Sequence, residues 1–193
     1  MALRIPTLGY VIALITFFTI ESSAQPNIEL EIISSVINSE LQAELKLHPR
    51  DTVFNKKGQI RKIKGFTFSS IYLGSRTEVE RHFQPDTLFA YCRMISSEID
   101  RDLFDDFISK NHSPIKLDSL KDLQFGIKPI PEDFMGDGHY PIIRVSRPGI
   151  IMDRAFIYFS RRWGPLSGYG GYYLLRKTEK GWIVETSIGA WIS

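Results

Sequence analysis

The densest set of chemistry-bearing residues in this chain is the stretch RRWGPLSGYGGYYLL, Arg161 to Leu175. Arg161 and Arg162 offer planar forks of N–H donors that match a carboxylate or a phosphate. Trp163, Tyr169 and Tyr172 offer flat apolar rings. Gly168 and Gly170 allow close approach by a ligand or another backbone. A phosphate-cradling loop would need Gly-Lys-Ser/Thr opening a helix, so that backbone N–H groups and a lysine meet the phosphates. Here the glycines lead into the strand-like YYLL, and no such lysine follows. A dinucleotide fingerprint begun at Gly168 would need glycine where Tyr173 stands. The sequence therefore implies no cofactor. Two readings remain: a recognition surface, or strands that run on through the stretch with glycines marking a bulge or close packing.

A second set is Asp133, Asp137 and His139. Carboxylate and imidazole can hold a hard or borderline cation or act as general acid and base. Their D-x-x-x-D-x-H spacing matches no metal motif, and Asp-Gly and Gly-His are ordinary turn pairs, so no metal ligand is assigned. Asp102, Asp105 and Asp106 lack the glycine turn and terminal glutamate of a calcium loop. Cys92 is the only cysteine, which excludes a disulfide within the chain. It sits in TLFAYCRMI, an apolar run of strand-like composition, and reads as a buried structural thiol without an activating base. His48, His82 and His112 stand in unrelated contexts. There is no G-x-S-x-G, H-E-x-x-H or zinc-type cysteine pair.

The first 24 residues read as a cleaved signal peptide, with an uncleaved membrane anchor as the alternative. A short basic MALR precedes the apolar IPTLGYVIALITFF, and Ser22 and Ala24 occupy the small-residue positions before a cut. The expected product is a single domain over residues 25–193, exported to the periplasm or beyond, with no later transmembrane segment. Export argues against an intracellular nucleic-acid role. Charge is uneven: from Pro141 onward there are 8 Lys/Arg against 3 Asp/Glu, whereas residues 25–140 carry 15 against 18. That asymmetry points to an anionic partner for the C-terminal part, although a solvated surface explains it equally.

The elements that must position these residues are an amphipathic helix over 28–47, a hairpin around NKKG, a helix in EIDRDLFDDFISKN and a C-terminal sheet. Ile28, Ile32, Ile33, Val36, Ile37, Leu41 and Leu45 recur at helical spacing, with Asn27 as cap and His48-Pro49 as stop. Asp100 caps the second helix, with Ile99 and Phe104 as a hydrophobic staple. The strands IIRVSR, RAFIYF, GYYLLRK and WIVETSIGAWIS follow, the last two joined at TEKG with Gly181 suited to positive φ. AFIYF and YYLL are apolar on both faces, which predicts central strands covered on both sides. Trp182, Val184, Ile188, Ala190 and Ile192 alternate as though they share one face. Ser160 to Gly171 is expected to be a 12-residue connecting loop.

The tail SRPGI…RAFIYF…GPLSGYGGYYLLRKTEKGWIVETSIGAWIS resembles the C-terminal part of a group of uncharacterised, signal-peptide-bearing bacterial exported proteins. The resemblance covers Ser146 to Ser193, with a weaker echo in LFDDFISKN. It implies export and the C-terminal sheet and brings no activity, catalytic residue or cofactor. The fold class expected is α+β, an antiparallel sheet ending in a meander and packed against the two helices, of the NTF2-like or cystatin-like sort. The first functional reading is a non-enzymatic domain that binds an envelope glycan, an anionic polymer or a protein through residues 160–172, by Arg161, Arg162, Trp163, Gly168, Tyr169, Gly170 and Tyr172. The alternative is a cell-envelope hydrolase using Asp133, Asp137 or His139.

Overall fold

A computed structural model describes residues 28–43, 46, 52–54, 60–63, 71–74, 76–77, 84–117, 120, 127–130, 142–164 and 167–193. For 52–54, 60–63, 71–72, 128–129 and 163–164 it describes the backbone alone. The signal-peptide segment lies outside the described residues, as do Leu45 and the expected Asn27 cap. No helix among the described residues is long and apolar enough to cross a membrane.

In chain order the elements are α1 (28–43), β1 (Thr52–Phe54), β2 (Ile60–Ile63), β3 (Ile71–Leu73), α2 (Pro85–Ile95), α3 (Arg101–Lys110), β4 (Ile127–Pro129), β5 (Ile142–Val145), β6 (Gly149–Ile151), β7 (Arg154–Gly164), β8 (Ser167–Thr178) and β9 (Gly181–Ile192). β1 and β2 form their own antiparallel pair, as the NKKG turn predicts. The main sheet has the order β4-β3-β5-β7-β8-β9, with β6 also paired to β7. Pairing is antiparallel from β5 to β9. At the other edge β3 runs parallel to both β4 and β5. The class is α+β.

The long central strands separate two cores. On one face Ala155, Ile157 and Phe159 of β7 and Tyr173 and Leu175 of β8 meet Ile32, Ile33, Val36, Ile37 and Leu41 of α1. On the other, Phe156, Tyr158, Tyr172 and Leu174 meet Leu88 and Cys92 of α2 and Leu103, Phe104 and Phe107 of α3. Strands with an apolar residue at every position are what such a helix–sheet–helix sandwich requires. Phe156 and Tyr172 stack at 5.4 Å, and the Phe107 ring meets Phe156 edge-on at 5.1 Å.

α2 corrects the strand expected in TLFAYCRMI. Pro85 occupies the first turn and Asp86 lies beside it, both helix-start features. Leu88 and Cys92, four apart, are the residues this helix buries. Burial pushes the Cys92 thiol up to about 12, so it stays protonated at neutral pH and serves as core. α3 forms as its sequence predicts: the Asp100 carboxylate accepts from the Leu103 amide at 2.9 Å, and Ile99 and Phe104 are both fully buried.

α3 lies unusually close to the sheet because Gly149 has no side chain. A Cβ there would sit 2.6 Å from both the Leu103 carbonyl and the Phe107 amide. Asp106 then reaches β6, accepting from the Ile150 amide at 2.7 Å as well as from Lys110 at 2.7 Å. Arg101 engages Asp105 and Asp86. These aspartates are thus committed to structural partners, and no metal-holding group of side chains occurs among the described residues.

β9 departs from the single buried face expected of it. Leu175 pairs with Val184 but Leu174 with Thr186, and Gly171 pairs with Gly189 but Gly170 with Trp191, so extra residues at Glu185 and Ala190 interrupt the register twice. A bulge of this kind flips the alternation. Trp182 and Val184 therefore join the α1 face, while Ile188 and Ala190 join the α2–α3 face.

Candidate functional site

The stretch from Ser160 to Gly171 is not a loop. β7 runs to Gly164 and β8 resumes at Ser167, with Arg161 opposite Tyr169, Arg162 opposite Gly168 and Ser160 opposite Gly170. The segment continues the β-rich pattern of its flanks, and its hydrogen bonds go to sheet partners on both sides. In the β7–β8 pairing the register breaks only between Arg162 and Gly164. The expected 12-residue connection is therefore the outer half of a long hairpin, and the glycines mark close packing.

Two of those glycines show why. A Cβ on Gly170 would lie 2.4 Å from Trp191 Nε1 and 2.6 Å from the Tyr158 hydroxyl. A Cβ on Gly168 would lie 2.7 Å from the Arg161 carbonyl. Both glycines are buried, as is Tyr172, at 1% exposure in the α2–α3 core. Arg161 is only 3% exposed and follows Phe159 on the α1 face. Arg162 and Tyr169 are half-buried, and the Trp163 side chain lies outside the described residues. Of the seven expected binding residues, Arg162 and Tyr169 are thus the two whose described side chains reach the surface.

Residues that the sequence reading passed over complete this end of the sheet. Trp191 of β9 pairs across to Gly170, and its indole fills the space above that glycine. It donates to the Tyr158 hydroxyl at 2.8 Å, while the Arg162 guanidinium lies over its ring at 4.8 Å. The result is a stacked arginine–tryptophan pair, a cation–π arrangement. On the opposite face Tyr169 donates to the Glu40 carboxylate of α1 at 2.5 Å, the length of a charge-assisted bond. Burial, with Glu40 beside it, raises the Tyr173 phenol above its ordinary value, so this hydroxyl stays protonated.

The C-terminal basic excess is partly internal. Arg147 pairs with Glu29, Arg154 with Asp100, and Arg176 with both Glu98 and Glu185. Arg144 and Arg162 lie on neighbouring strands of the same face, at one end of the sheet. Asp133, Asp137 and His139 lie outside the described residues.

The arrangement can do recognition chemistry. An aromatic ring carrying a guanidinium presents a flat apolar plate with donors at its rim, suited to an acceptor-rich partner. No family model matches the chain, and neither a curated protein nor a solved structure matches it.

Proposed function

We propose that this chain is an exported, non-enzymatic domain that binds an anionic component of the cell envelope through the outer end of the β7–β8 hairpin and the adjoining end of β9. The observation that carries the reading is the Arg162 guanidinium stacked 4.8 Å over Trp191. Tyr169 stands on the other face of the same hairpin, fastened to Glu40. The signal-like leader and the resemblance of the tail to exported bacterial proteins supply the compartment. The two-core sandwich supplies a rigid frame, which lowers the ordering cost of binding.

The test is capture from cell-envelope extract by chain 25–193, run beside an Arg162→Ala/Trp191→Ala variant whose folding is checked by circular dichroism. Capture of an anionic component by the unmodified chain alone supports the reading. Equal capture by both folded chains removes it.

A further inference from the structure

We propose that Tyr158 is a positioning residue for the recognition end of the sheet: its buried hydroxyl fixes the Trp191 indole and, through it, the seat of the Arg162 guanidinium. This deepens the binding role given to the hairpin end and rests on it. Tyr158 is 0% exposed, too deep to meet a ligand directly. Its hydroxyl nevertheless accepts from Trp191 Nε1 at 2.8 Å, across 33 positions of chain. An indole carries a single N–H and no acceptor, so one bond of this kind fixes which way the ring faces. Gly170 provides the room. Trp191 lies opposite it on β9, and a Cβ there would collide with both the indole nitrogen and the Tyr158 hydroxyl. The glycine and the tyrosine thus define one orientation of the indole, and the Arg162 guanidinium lies 4.8 Å over the ring so placed.

Tyr158 is itself held through both backbone and ring. Its amide donates to the Ser146 hydroxyl at 2.8 Å, and its carbonyl accepts from the Ser146 amide at 3.0 Å. Its ring packs at 5.2 Å against Tyr172, which stacks on Phe156 at 5.4 Å. The α2–α3 core therefore reaches the surface plate through one phenol. Tyr172, too buried at 1% exposure to meet a ligand, serves the site by steadying that phenol. Cation–π attraction needs the guanidinium over the ring face. A rotated indole loses its arginine, and a looser site gives up more freedom on association.

The test combines indole N–H exchange, followed by heteronuclear NMR on chain 25–193, with binding of sodium polygalacturonate and, separately, sodium polyphosphate at equal ionic strength. The two polymers present repeated oxyanions on a glycan and on an inorganic chain. Of the three tryptophan signals, the one missing in Trp191→Phe belongs to Trp191. Tyr158→Phe removes only the hydroxyl. It should speed exchange of that signal about ten-fold or more and weaken binding of at least one polymer about ten-fold. In the Trp191→Phe background, where no indole N–H is left to fix, the same substitution should change binding no further. Gly149→Ala strains the α3 contact instead and should leave the indole signal and the binding at parental values. The positioning role is overturned if Tyr158→Phe leaves binding unchanged, or if it weakens binding equally in the Trp191→Phe background. Unaltered Trp191 exchange in Tyr158→Phe overturns that role whatever the parent binds. A parent chain that binds neither polymer overturns the broader reading.

Discussion

Arg147 grips Glu29 across 118 positions of chain, with Nε on one carboxylate oxygen and Nη2 on the other, both at 2.9 Å. Glu29 is 1% exposed, so this bidentate pair fastens the start of α1 to the link between β5 and β6 inside the protein. The Glu29 bond raises the Arg147 guanidinium above its ordinary value, with burial opposing. Asn111 holds the same link, donating to the Arg147 carbonyl and accepting from its amide at 2.8 and 2.9 Å.

Breaking that pair from one side should be far worse than removing it. Glu29→Ala or Arg147→Ala leaves a buried, unmatched charge and should cost about 3–5 kcal/mol. The Glu29→Leu/Arg147→Met chain should lose much less than the two single losses combined. Urea unfolding of the three variants checks this. Additive losses would show that the two residues act independently.

Gly149→Ala should destabilise by about 1–3 kcal/mol or more, because the added methyl meets helix backbone that cannot rotate away. Gly170→Ala meets the Trp191 and Tyr158 side chains instead. It should cost less while changing the near-ultraviolet circular dichroism of the displaced indole. Thermal melts with both spectra separate the two cases.

Cys92 should resist thiol reagents at pH 8 in the folded chain and react on unfolding. Its folded pKa is raised from 9.0 to about 12, so the folded state holds the proton more tightly than the unfolded one. Its contribution is therefore complete below about pH 9 and is lost as the pH rises from 9 towards 12. Cys92→Ala should flatten that alkaline limb of the stability profile. The raised Tyr173 phenol contributes in the same direction at higher pH, which Tyr173→Phe would isolate.

Met152 sits at the tip of the β6–β7 hairpin with φ 54° and 92% exposure. A bulky residue in the left-handed region costs about 1–2 kcal/mol. Met152→Gly should therefore raise the melting temperature by about 2–4 °C. An unchanged or lower value would mean that the turn relaxes at no cost.

The parts of this fold that could be read in advance are those where one physical signal dominates. The helical stripe of α1, the Asp100 cap and the doubly apolar AFIYF and YYLL each have a single low-energy solution. α2 was hidden because Phe89, Tyr91 and Cys92 give TLFAYCRMI strand-like composition, and Pro85 and Asp86 are its clearest helical signs. The two β9 bulges are hidden in the sequence because the Trp182 to Ile192 alternation is locally regular, and only pairing with β8 shows the extra residues. The hairpin end reads as a loop in sequence because glycine-rich composition marks both flexible chain and tight packing. Trp191 becomes visible only once Gly170 is known to lie opposite it.

Hydrogen exchange on chain 25–193, alone and bound to the component captured from envelope extract, tests the central claim most directly. The account predicts slowed exchange concentrated in residues 160–172 and 188–193, and no such slowing when Arg162 and Trp191 are replaced. Protection confined to another face, such as the exposed Met94–Ile95 end of α2, would contradict it.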